Sequence, residues 1–230
     1  MCSPEQLAIL RSFDTPTMCN AIELICPHRR GSGFTVDRFF SLDPAAGPMV
    51  GYARTATMRA MRPSGRTGSA DVDVRVGYYQ HIAEGPGPTV TVIEDLDPHP
   101  GYGALWGEVN SNVHRALGSL GVITNGSIRD LDDWADGFQA LAGSVGPSHA
   151  FVHVVDYDVS VTVAGMQVEP GDLVHGDRHG AVVVPPEAVD QIATTVASIT
   201  KAERRLIDPA KAGGLTIERL ISMLRPEGDH

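Results

Sequence analysis

Three side chains near the middle of the chain combine residue type and spacing in a way that could do chemistry. Glu108 and Arg129 are separated by twenty residues, and Asp130 follows Arg129 directly. A carboxylate such as Asp130 is a hard oxygen ligand for Mg²⁺ or Mn²⁺, and a guanidinium such as Arg129 offers a planar fork to a carboxylate or an oxyanion. The intervening residues predict one helix and one strand. Val109, Val113, Ala116, Leu117 and Leu120 recur at helical spacing and predict an apolar face packed on a sheet, and GVITN (121–125) reads as a short strand. A helix and strand in that order return the chain to the same end of the sheet. The helix start near Gly107 and the loop GSIRD (126–130) then face one pocket, where open α/β sheets bind ligands. The N–H groups of Val109 and Asn110, at the helix N-terminus, are placed to hold a substrate carboxylate.

The elements that must position these residues are legible on both sides. Thr15 as cap and Pro16 as first helical residue predict a helix ending near Cys26-Pro27. Residues 29–48 read as loop, Val50 to Met58 as a strand, and PSGRTGSA (63–70) as a flexible connection. A helix is expected over Asp71 to Glu84, a turn at EGPGP, and a buried β-branched strand over Thr89 to Ile93. LDDWADGF (131–138) opens a short helix or turn. From Phe151 to Pro185 alternating segments predict several strands with tight turns. From Pro186 a helix carries Val189, Ile192, Val196 and Ile199 on one stripe to about Arg205. This alternation predicts an α/β fold, with one domain over 1–207 and a partly helical tail over 208–230. No internal repeat is present.

Composition narrows the possible partners. With 230 residues the chain is long enough to bury a core without staples. Its net charge of −10 argues against a broad nucleic-acid or anionic-membrane surface, because phosphate binding needs clustered Lys and Arg. No apolar run approaches the ~20 residues that span a bilayer, and MCSPEQLAIL lacks the basic start of an export signal. Cys2, Cys19 and Cys26 lack CxxC spacing, so a reduced, cytoplasmic setting is expected.

ALWGEVNSNVHRALGSLGVITNGSIRDLDD (104–133) resembles the RraA-like family, which includes 4-hydroxy-4-methyl-2-oxoglutarate aldolases. An acidic residue, a twenty-residue gap and Arg-Asp form that family's aldolase motif. The resemblance extends to GYARTATM (51–58), to VEPGDLVHGDRHGAVVVP (168–185) and to the helix after it, and so covers most of residues 15–205. It implies a layered β/β/α domain of the swivelling type, homotrimers or hexamers, and active sites between subunits. It also implies roles: Asp130 ligates Mg²⁺ or Mn²⁺, Arg129 binds a small 2-oxo acid and its enolate, Glu108 positions a water acting as base, and Gly107, Val109 and Asn110 line the pyruvyl group. The expected reaction is retro-aldol cleavage of a 4-hydroxy-2-oxo dicarboxylic acid to pyruvate, with oxaloacetate decarboxylation at the same site. The family also contains RraA proper, a non-catalytic inhibitor of ribonuclease E. FQALAGSV (138–145) is similar to that branch, and Asn125 stands where the aldolase loop often carries Asp. The carboxylate of Glu108 favours the enzyme, because a pure interaction module has no need of it.

Other chemically suggestive residues have plainer explanations. The chain has two lysines, Lys201 and Lys211, both in the C-terminal helical region, whereas a Schiff-base aldolase needs a buried amine. His175, Asp177 and His179 read as a β-turn with polar tips in water rather than a metal cluster. His149 and His153 read as one face of a strand. Asp132, Asp133 and Asp136 read as a solvated helix start. Glu203 is either a solvent-facing helical residue or, as the resemblance allows, a carboxylate offered to a neighbouring subunit's metal.

Overall fold

The computed structural model describes residues 1–224; the end of the expected tail, 225–230, lies outside the described residues. The chain forms six α-helices and eleven strands there: α1 (Pro4–Arg11), α2 (Thr15–Ile25), β1 (Phe40–Ser41), β2 (Met49–Arg59), α3 (Ser69–Ala83), β3 (Thr89–Asp95), β4 (Ala104–Trp106), α4 (Glu108–Ala116), β5 (Ser119–Ile128), β6 (Gln139–Val145), β7 (His153–Tyr157), β8 (Val161–Val163), β9 (Met166–Val168), β10 (Leu173–Asp177), β11 (Gly180–Val183), α5 (Ile192–Lys211) and α6 (Ile217–Leu224). The fold is the expected mixed α/β one.

Nine strands make one sheet in the order β1-β6-β5-β3-β2-β10-β11, with β4 added to β5 and β7 to β2. Its centre, β2-β3-β5-β6, is parallel, so the C-terminal ends of these strands share one edge. The outer pairs are antiparallel. Buried on both faces, β2 reads as a near-continuous run of small and apolar residues, MVGYARTATM. Val50 and Tyr52 pack with α1, α2 and α5, and Ala56 and Met58 pack with Tyr78 and Ile82 of α3. On the opposite face Met49 and Ala53 meet Val161, Val163, Met166 and Val168 of the β8-β9 hairpin. Period-two alternation along one strand thus yields the three layers, helices on sheet on hairpin. Burying each of those four hairpin side chains contributes about 1.5–3 kcal/mol.

Several local expectations are corrected. The α2 cap is Asp14, whose carboxylate accepts the Thr17 N–H at 2.9 Å. Thr15 lies one position inside, buried, with its N–H given to Asp177 and its hydroxyl 3.1 Å from His175 Nδ1. His175 and Asp177 are therefore not polar tips in water: both are buried where β10 passes under α2. Strand β5 continues through Gly126, Ser127 and Ile128 instead of giving way to a loop there. Of the two alternatives for LDDWADGF the turn forms, closed by the Asp133 N–H on Asp130 O at 3.0 Å, so that Asp132, Asp133 and Asp136 are solvated as expected but start no helix. His149 lies in a turn and His153 opens β7, so the two share no strand face. Helix α5 starts at Ile192, after a short 3₁₀ turn at Pro186–Ala188, and runs past the expected end to Lys211, through the 207/208 boundary. No helix among the described residues is long and apolar enough to cross a membrane.

Candidate functional site

The site forms where the parallel strands end. Strand β5 delivers Arg129, whose N–H donates to Trp106 O at 2.9 Å and whose carbonyl accepts the Trp134 indole N–H at 2.7 Å. With its backbone held on both sides, the chain turns sharply: Asp130 takes a left-handed conformation, φ 53°. That conformation is costly for most L-residues and easiest for Gly, Asn and Asp. It aims the Asp130 carboxylate back at α4, where Oδ2 accepts the Glu108 N–H at 3.3 Å and lies 3.5 Å from Arg129 Nε.

Gly107 makes this approach possible. Its backbone is extended, and a Cβ there would sit 2.3 Å from Asp130 Oδ2 and 3.1 Å from Arg129 Cγ. The structure thus brings Gly107, Glu108, Arg129 and Asp130 together. Arg129 and Asp130 are about one-third exposed, at 35% and 36% of their side-chain areas, and Glu108 is exposed, so all three are open to a ligand. At the helix start the N–H groups after Glu108 have no intrahelical acceptor, and the dipole favours an anion in front of them.

One expectation about α4 fails. Its inward face is polar, with Ser111 and His114 fully buried, whereas Val109 is 69% exposed at the rim of the site. The apolar spacing pointed to the wrong face because an aromatic and polar pocket receives the helix. His114 packs against Trp106, ring centroids 4.4 Å apart, and against Tyr78 and Tyr79. Burial lowers the His114 pKa to about 4, although the Asn110 carbonyl pulls the other way, so the ring is neutral. The Asn110 side chain turns back from the site, which leaves its backbone N–H as the group it offers there. Its Oδ1 accepts from Tyr79 Oη at 3.1 Å, and its Nδ2 donates to Leu105 O at 2.5 Å. Ser111 Oγ donates to Glu108 O and accepts the Ala135 N–H, tying α4 to the turn after Asp130. Sequence reading missed Tyr78, Tyr79, Ser111, His114 and Trp134. The signal for two of them was a Ser and a His three apart, and so on one face, in a helix with only three apolar residues, Val109, Val113 and Ala116.

The donor set suits Mg²⁺ or Mn²⁺, which are held by one or two carboxylates and keep several waters or substrate oxygens. Asp130 is the carboxylate aimed from the strand end, with Glu108 beside it. Among the described residues no three His, Cys, Asp or Glu side chains converge as a metal cage. His175 is spent on Thr15 and Phe13 O, and Asp177 on the N–H groups of Thr15 and His179. Both lysines are exposed on α5, as is Glu203. Asn125 binds the backbone of Asp95 with both ends of its amide, at 2.7 and 3.1 Å, bridging β3 and β5 just past their last paired residues, Ile93 and Thr124.

A family model described as RraA-like, Aldolase/RraA, matches residues 15–183. The chain belongs to the RraA-like family. An uncharacterized protein of Methanocaldococcus jannaschii is 31% identical over 105 residues, which cover 45% of this chain and 50% of that one; the chain thus spans about half the length of this curated relative. Among solved structures, the fold is similar to that of Streptomyces coelicolor RraAS2, described as an unusual member of the RNase ES inhibitor RraA protein family. The TM-score is 0.66 at 22% identity, covering 91% of this chain and 97% of that one. It is also similar to a structure described among novel cellulases from microbes of the gut ecosystem, with TM-score 0.72 at 17% identity over 89% and 88% of the two chains. At these identities the RraA-like fold is what the chains share. The family's description covers both aldolases and RraA, so the chemistry has to be argued from the site.

Proposed function

We propose that this RraA-like protein is a divalent-metal-dependent lyase that cleaves a 4-hydroxy-2-oxo dicarboxylic acid to pyruvate and decarboxylates oxaloacetate at the same site. The observation that carries this reading is the convergence of Glu108, Arg129 and Asp130 at the start of α4, with the Asp130 carboxylate on the Glu108 N–H. Asp130 would hold Mg²⁺ or Mn²⁺, which when bound supplies positive charge to the oxygen of the 2-oxo group. The substrate carboxylate lies on the first-turn N–H groups of Val109 and Asn110 and beside Arg129, which also faces the oxygen that gains charge. Glu108, through a water, accepts the proton of the 4-hydroxyl. As that proton leaves, the C3–C4 bond breaks, a carbonyl forms at C4, and the electron pair enters the pyruvate enolate beside the Arg129 guanidinium. Loss of carbon dioxide from oxaloacetate generates the same enolate. The exposed lysines offer no buried amine for the alternative chemistry.

A homotrimer or dimer of trimers in the cytoplasm fits this reading, because the site in one chain is open and rimmed by exposed Val109 and Leu131. The same apolar rim favours a second reading, a regulatory binding protein of the RraA type without catalysis. The test is pyruvate release from 4-hydroxy-2-oxo acids and oxaloacetate by chelated and metal-reloaded protein, with light scattering for mass. Activity lost in EDTA and restored by Mg²⁺ or Mn²⁺, in particles of about 3 or 6 chains, is expected. Full turnover in EDTA overturns the metal, and no turnover on any 2-oxo acid gives way to the binding protein.

A further inference from the structure

The first turn of α4 is held from behind by a hydrogen-bonded chain that begins in α3. His114 Nδ1 is 2.7 Å from Asn110 O, which can only accept, so Nδ1 carries the proton and Nε2 is left as an acceptor. Tyr78 Oη, 2.7 Å away and fully buried, is the donor to that nitrogen. One residue along α3, Tyr79 Oη donates to Asn110 Oδ1, and Asn110 Nδ2 donates to Leu105 O in β4. Asn110 is thereby bound at its carbonyl and at both ends of its amide, by α3, by its own helix and by the strand that leads into Gly107. Asn110 is half-buried, and its side chain reaches back to these partners and not into the open site. What the bonds fix is the direction of the N–H groups of residues 108–110 and the position of Gly107 against Asp130.

We infer that Tyr79, with the buried Tyr78–His114 pair behind it, is a positioning residue that sets the α4 amide donors for the carboxylate of the 2-oxo acid. This rests on the lyase reading for its substrate, while the placement of the turn rests on the hydrogen bonds alone. Tyr79 touches no reacting atom. Its loss weakens ground-state and transition-state binding of the carboxylate together, which raises KM and spares kcat.

The test uses the full chain with Tyr79→Phe, Asn110→Ala and the double variant. Hydrogen exchange of the peptide spanning residues 105–113 and steady-state kinetics with oxaloacetate are read side by side. Tyr79→Phe keeps the ring and removes one donor, so melting is expected to stay close to wild type. Exchange in 105–113 is expected to quicken, and KM to rise about 5- to 10-fold with kcat within twofold, roughly what one lost hydrogen bond gives. In the double variant Tyr79→Phe adds nothing to Asn110→Ala, because the two act through one bond. Unchanged exchange and KM in Tyr79→Phe, or additive effects in the double variant, overturn the inference. If the wild type turns over no 2-oxo acid, the lyase reading falls and exchange alone decides: quickened and non-additive exchange upholds the positioning of the turn, and unchanged exchange overturns it.

Discussion

The carboxylate of Asp130 accepts the backbone N–H of Glu108 at 3.3 Å, joining the end of β5 to the start of α4 across twenty-two positions of sequence. Asp130→Asn keeps an acceptor for that N–H and tolerates φ 53°, yet removes the charge a metal needs. Activity is expected to fall by at least ~10²-fold and metal activation to vanish, with little change in melting temperature. Asp130→Ala adds a backbone penalty of about 1–2 kcal/mol at a left-handed position and should melt lower than Asp130→Asn. Equal activity in Asp130→Asn and wild type would remove Asp130 from the metal site.

Arg129 and Glu108 should leave different kinetic traces. Arg129→Ala loses carboxylate and enolate contacts together, so KM rises and kcat falls, and Arg129→Lys rescues little because a point charge lacks the fork. Glu108→Gln keeps the side chain's shape, so KM stays near wild type while kcat for aldol cleavage drops by roughly 10²–10⁴-fold. Decarboxylation of oxaloacetate removes no hydroxyl proton and should suffer less. Equal losses in both reactions would take the proton-transfer role from Glu108.

Gly107→Ala tests the close approach itself. A Cβ 2.3 Å from Asp130 Oδ2 must displace that carboxylate or the Arg129 stem. Turnover is expected to fall by roughly 10²-fold, as misplacement by about 1 Å does at other sites, while circular dichroism stays native. A fully active Gly107→Ala would show that the carboxylate acts from another position.

His114 links the site to acid stability. Its pKa is about 4 in the fold, against the usual 6.5. Between those values the unfolded chain holds a proton that the folded chain does not, so stability falls as pH drops through that window and levels off below it. The difference corresponds to on the order of 3 kcal/mol. His175, also lowered by burial, acts in the same direction. Melting temperature measured from pH 7 to 4 should decline less steeply for His114→Gln than for wild type. Parallel curves would mean that His114 does not carry the effect.

The sequence made the major strands legible because β2 and β3 are runs of small or β-branched residues flanked by Pro and Gly. It also placed Glu108, Arg129 and Asp130 at one end of the sheet, since a helix and a parallel strand between them leave little choice. The α4 face was misread for a physical reason: periodicity assumes that apolar residues go inward, and here Ser111 and His114 find partners in α3, β4 and the turn after β5 while Val109 stays out. The partners in α3 and in the turn, Tyr78 and Ala135, are distant in sequence, so no local pattern announces them. The same holds for Thr15, which has cap chemistry but is claimed by Asp177 and His175 from β10.

Strand β2 is also a problem of timing. Tyr52 pairs with Leu173, about 120 residues later, and β7 closes the other half of the same edge from residue 153 onward. A chain emerging from the ribosome therefore exposes one side of β2, the longest of the described strands, until nearly the whole sheet has been made. Such late, non-local pairing slows folding and leaves an open edge that can recruit strands from other nascent chains. Yield of native protein should thus depend more on temperature and chaperone supply during synthesis than the stability of the finished molecule would suggest.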